Sequence, residues 1–166
     1  HASVIDGARL ARARLCVFPH NDVARLAAIV ARPHTGRTLI VTESVFSMDG
    51  DCAPLAALTA CAEAHGAVLI VDEAHAVGVY GHGRGLVAEL GLTARVGALV
   101  GTLSKALGSQ GGFVCGSRLL VEYLVNSARP FVYTTGPAPA CAGAALAALR
   151  IVRNDRGRLA RLWDNV

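Results

Sequence analysis

The sequence is poor in the residues that usually announce a function. Aromatics make up 5% of the chain, with one Trp and one Met, and of sixteen basic side chains only Lys105 is a lysine. Five cysteines (Cys16, Cys52, Cys61, Cys115, Cys141) form no CxxC pair and no Cys/His metal spacing, which points to reduced, mostly buried thiols and a cytoplasmic setting. Asp72-Glu73-Ala74-His75 matches a helicase box, but a G-x-x-x-x-G-K-[ST] phosphate loop occurs nowhere, so a nucleotide-driven motor is excluded. A metal site built on Asp72 and His75 lacks a second histidine at helical spacing. Charged residues are 17% of the chain and the net charge is +4. Most of that excess lies in Arg150, Arg153, Arg156, Arg158 and Arg161, a pattern of a solvated helix face rather than a nucleic-acid arm. Asp6, Arg9, Arg12 and Arg14 stand where a signal peptide needs apolar residues. The longest uncharged run, Pro130 to Leu149, is broken by Gly136, Pro137 and Pro139 and reads as a turn and a helix, not a membrane span.

What the chain does have is hydrophobicity, 53% over 166 residues, enough for one core of ordinary domain size. Apolar, β-branched runs predict strands at Leu15–Phe18, Thr38–Thr42, Ala67–Val71, Val96–Val100, Gly112–Cys115 and Phe131–Thr134. Between them helices are predicted after Asn21-Asp22, from Pro54 to Gly66, over Ser117–Asn126 and from Pro139 to Arg153. Strands apolar throughout, separated by helices, imply an α/β fold of three layers with a mainly parallel sheet. In such sheets the chemistry sits beyond the carboxyl ends of the strands. Three consecutive strand ends carry Glu43 to Asp51, Asp72 to His75 and Gly101 to Gly108, and so deliver hydroxyls, carboxylates, a histidine and the only lysine to one edge.

A lysine held in a dry loop can lose its proton and form an imine with a carbonyl. An aldehyde cofactor with a ring nitrogen and a phosphate would also need a carboxylate at that nitrogen, for which Asp72 fits. Thr102 and Ser104 offer donors for phosphate, and His75 and Ser47 offer donors for a ring oxygen. Each residue alone has a plain structural alternative; their order, Ser, Asp-x-x-His, Thr-x-x-Lys, is harder to explain away.

With these residues the chain resembles the α-oxoamine synthases, pyridoxal-phosphate (PLP) enzymes of fold type I. The matching stretches run in order from His1-Ala2-Ser3-Val4-Ile5-Asp6-Gly7, through His20-Asn21-Asp22, Val45 to Asp51, Val71 to His75 and Gly83-Arg84-Gly85. They continue through Gly101 to Gly108, Gly111-Gly112-Phe113-Val114 and Ala128-Arg129-Pro130-Phe131. Met48-Asp49-Gly50-Asp51 and Ser109-Gln110-Gly111-Gly112 look most like the biotin-pathway member. The resemblance implies Lys105 as Schiff-base lysine and base, Asp72 at the pyridine nitrogen and His1 stacked on the ring. It implies Ser47 and His75 at the phenolic oxygen, Thr102 at the phosphate, and Thr135 at the phosphate of a partner subunit in a homodimer. It implies a decarboxylative condensation of L-alanine with a pimeloyl thioester, with a sister reaction of glycine with acetyl- or succinyl-CoA as the alternative, and a non-catalytic fragment as the alternative of another class. The chain then reads as the middle of the large domain, without an upstream segment and a C-terminal small domain.

Overall fold

The computed structural model describes residues 1–166. Four strands form one sheet in the order β1 (Leu39–Glu43), β2 (Val68–Asp72), β3 (Ala98–Thr102) and β4 (Gly112–Gly116). β1, β2 and β3 are parallel, with Glu43 opposite Asp72 and Asp72 opposite Val100, whereas β4 runs antiparallel to β3 with Thr102 opposite Gly112. Parallel neighbours align their carboxyl ends, and that register brings Glu43, Asp72 and Thr102 to one edge.

The chain also forms eight α-helices: α1 (Ala2–Leu10), α2 (Val23–Val30), α3 (Leu55–Ala64), α4 (Leu86–Glu89), α5 (Arg118–Ser127), α6 (Arg129–Val132), α7 (Pro139–Asn154) and α8 (Arg156–Asp164). Asp22 caps α2 by accepting the Arg25 N–H at 2.8 Å, and Ser117 caps α5 through Leu120 N–H at 3.2 Å. These side chains satisfy donors that the first helical turn leaves free. α3 turns Leu55, Leu58, Cys61 and Ala62 inward and stops before Gly66, whose φ of +61° suits glycine. Its inner face meets α2 and β2 in a single buried cluster running from Leu26 to Leu92.

Two predicted strands do not form. Leu15–Phe18 has no regular structure and Val17 is exposed, with no neighbouring strand to bond it. Phe131–Thr134 instead overlaps α6, because Pro130 sits in the first helical turn, where its fixed φ favours a helix start. The thiols also differ from expectation: only Cys61 is buried, while Cys16, Cys52 and Cys115 are exposed. The basic end spans the last turns of α7, with Arg150 and Arg153, and α8, with Arg156, Arg158 and Arg161, which Asp155 caps. No helix is long and apolar enough to cross a membrane.

Candidate active site

The nine residues from Leu103 to Gly111 join β3 to β4 and carry Lys105. The Leu103 N–H donates to the Gly111 carbonyl at 2.9 Å, and the Ser109 N–H to the Leu103 carbonyl at 2.8 Å. Leu107, 3% exposed, anchors the loop, while Lys105 itself is exposed. The lysine therefore stands in an open cleft rather than a dry loop, because the connection projects beyond the sheet edge. Its Nζ lies 2.7 Å from His75 Nε2. A protonated amine there requires His75 Nε2 to accept, which places the imidazole proton on Nδ1.

Asp72 ends β2, and its Oδ1 accepts the Ala74 N–H at 2.9 Å, closing the turn that presents His75. Thr102 Oγ1 lies 2.7 Å from Ser104 Oγ and donates to the Gly111 carbonyl at 3.1 Å; the Ser104 N–H donates to Thr102 Oγ1 at 3.2 Å. His1 caps α1, with its Nδ1 2.8 Å from Ser3 Oγ. His1, Asp72, His75, Thr102 and Lys105 line one cleft of about 290 Å³, together with Glu43 and Ser104. That is near the lower end of the volumes that hold small ligands.

Ser47 and Thr135 are not brought into this cleft. Ser47 is exposed on the turn after β1, which is closed by the Val45–Cys52 bridge and the Phe46 N–H bond to the Asp51 carbonyl at 2.9 Å. His20 Nε2 lies 2.8 Å from Asp51 Oδ2 and Asn21 donates to the same oxygen at 2.9 Å, so this turn is pinned from the His20-Asn21-Asp22 segment. Thr135 is exposed between α6 and α7. Sequence reasoning left Glu43 without a role, although its place at the end of β1, level with Asp72, was the available signal.

Beneath the cleft lies the only buried charged side chain, Glu73, at 1% exposure. Burial pushes its carboxyl above the ordinary range, partly opposed by the Val87 N–H, which donates to Oε1 at 3.1 Å, and by the Ser44 hydroxyl. Ser44 also donates to the Asp72 carbonyl at 3.3 Å.

Comparison with known proteins shows the family of the chain. The family profile "Aminotransferase class I and II" matches residues 1–165. The chain belongs to that family. It is 52% identical over 165 residues to the 8-amino-7-oxononanoate synthase of Anaeromyxobacter sp. (strain K), covering 98% of this chain and 41% of the relative. It is 50% identical to that of Mycolicibacterium vanbaalenii, covering 99% and 44%. Among solved structures it matches the serine palmitoyltransferase of S. paucimobilis, with bound PLP-myriocin aldimine, at a TM-score of 0.94 and 36% identity over 99% of this chain and 42% of that one. It also matches the 8-amino-7-oxononanoate synthase of Francisella tularensis, at a TM-score of 0.85 and 35% identity over 100% and 48%. The chain thus spans less than half the length of these relatives.

Proposed function

We propose that the protein is a cytoplasmic PLP-dependent synthase joining L-alanine to a pimeloyl thioester, on CoA or a carrier protein, to give 8-amino-7-oxononanoate with loss of CO₂ and the free thiol. The observation that carries this reading is the Lys105–His75 contact of 2.7 Å in the cleft that also holds Asp72. The donor set fits the cofactor: one amine for an aldehyde, one carboxylate for a ring nitrogen, and two hydroxyls 2.7 Å apart for a phosphate. When bound, PLP supplies an electron sink for negative charge developing at the amino-acid Cα. Lys105 Nζ holds the aldehyde end and, once released, takes the Cα proton. His75 Nε2 orients that amine and meets the ring's phenolic oxygen. Asp72 has Oδ1 occupied by the Ala74 N–H, which leaves Oδ2 to hold the proton on the ring nitrogen. Thr102 and Ser104 bind phosphate, His1 stacks over the ring, and Ser47 is assigned with His75 to the phenolic oxygen on the family resemblance alone. Thr135 reaches the phosphate of the partner subunit's cofactor, which makes the working unit a homodimer.

Borohydride reduction of the PLP-treated chain, followed by peptide mass mapping, tests the site: the adduct is expected on Lys105 and is lost in Lys105→Ala. The visible band at about 420 nm that a lysine-bound PLP gives should vanish with it. Full retention of that band in Lys105→Ala overturns the assignment. Substrate choice is tested on the complete protein by offering alanine, glycine or serine with pimeloyl-, acetyl- and succinyl-CoA; consumption of glycine rather than alanine would assign the sister reaction.

A further inference from the structure

Glu73 follows Asp72 directly, yet its carboxylate turns away from the cleft. Oε1 accepts the Val87 N–H at 3.1 Å, at the start of α4, and Oε2 lies against the α-carbon of Gly85, where any Cβ would overlap it. Oε2 has no other partner. The Glu73 carbonyl accepts the N–H groups of Ala76 and Val77, both at 2.9 Å, closing the turn that carries His75. The segment beyond is folded on itself: the Gly78 N–H donates to the Gly83 carbonyl at 2.9 Å and the Gly85 N–H to the Tyr80 carbonyl at 3.0 Å. Gly78 then packs against Ala106, so closely that a Cβ there would stand 2.5 Å from the Ala106 methyl. Ala106 is the neighbour of Lys105. One residue thus holds both ends of the segment, its backbone carbonyl at the His75 turn and its buried carboxylate at Gly85 and Val87, and Gly78 between them meets the lysine loop.

We propose that Glu73 is a positioning residue for the amine of Lys105: by pegging the Gly78–Val87 segment it sets where the lysine loop meets His75. The inference rests on the reading of Lys105 and His75 as the working pair, and it is tested without cofactor. A buried carboxylate whose Oε2 has no hydrogen-bond partner and lies against a glycine is a costly arrangement, and the geometry accounts for it by what the segment carries.

Because Lys105 is the only lysine, labelling the chain with [ε-¹³C]lysine gives one ε-carbon resonance. In Glu73→Ala that resonance should shift from its wild-type position toward the position seen in His75→Ala. Gly85→Ala and Gly78→Ala change no charge, leaving Asp72, Glu43, His1 and His75 around the amine as they were, and should give the same shift. Glu73→Gln, which keeps an oxygen for the Val87 N–H, should stay near wild type. Circular dichroism identifies the variants that remain folded; if Glu73→Ala does not, Gly85→Ala, which displaces the Glu73 carboxylate itself, carries the test. A wild-type resonance in the folded variants, whatever their melting temperatures, overturns the proposal. It would leave the Lys105 adduct untouched, just as an adduct mapped elsewhere would leave this shift standing.

Discussion

Residues 26–92 and residues 112–166 are built differently. The first stretch holds the whole buried cluster, including Leu58 and Leu69 at 1% exposure and Val71 and Val87 at 0%. The second contributes only Ala145 to the buried set, while Leu119, Tyr123, Phe131 and Tyr133 are 65% exposed or more. The total accessible surface is 10929 Å², against about 7,800 Å² for a compact monomer of this mass. The catalytic candidates sit at the seam. Asp72 and His75 hang from the packed part, and Lys105 from the loop between the last packed strand and β4. Rigidity is therefore concentrated under the carboxylate and histidine, while the lysine depends on the loop's own hydrogen bonds and its contact with Gly78.

The sharpest way to break this contrast is a pair of truncations. Leu58→Ala should lower unfolding free energy by about 2–5 kcal/mol, by lost burial and the cavity left behind, whereas Leu119→Ala should change it by less than about 0.5 kcal/mol. Urea denaturation measures both, and equal losses would mean that the C-terminal third is part of the same core. The helix caps give a smaller contrast. Asp22→Ala should cost about 1 kcal/mol globally, because α2 packs into the core through Leu26 and Val30. Ser117→Ala should instead appear as faster hydrogen exchange confined to α5, which buries no residue.

Within the packed part, two carboxyls should respond to pH with opposite signs. Glu73 is raised by burial, so its folded form holds a proton more tightly than the unfolded chain. Its contribution is full below pH 4.5 and is lost as pH rises through the raised value; Glu73→Gln should flatten that decline in the urea midpoint. Glu63 is lowered by its hydrogen bonds from Arg95, at 2.8 and 2.6 Å. Its contribution is present above pH 4.5 and is lost as pH falls, and being exposed it should be the smallest effect of all.

The three parallel strands and α2, α3, α5 and α7 were legible because each is marked by apolar periodicity and a cap or breaker, such as Asp22, Pro54, Gly66, Ser117 and Pro139. The antiparallel β4 was also open to reading: nine residues cannot make a parallel crossover, which needs a dozen or more. Phe131–Thr134 was misread because β-branched and aromatic content outvoted one proline. Leu15–Phe18 shows that a strand-like run needs a bonding neighbour, which local composition does not reveal. In the site, the order Asp-x-x-His and Thr-x-x-Lys predicted residues that do share the cleft. Glu73 was given no role because burial is a tertiary property, and in sequence it is one acid beside another.

The central claim is that Lys105 and Asp72 grip opposite ends of one aromatic ring. The most direct measurement is the ¹⁵N resonance of ring-labelled PLP bound to the chain, in wild type and in Asp72→Asn. The ring nitrogen should be protonated in the first and unprotonated in the second; identical resonances in both would contradict the account.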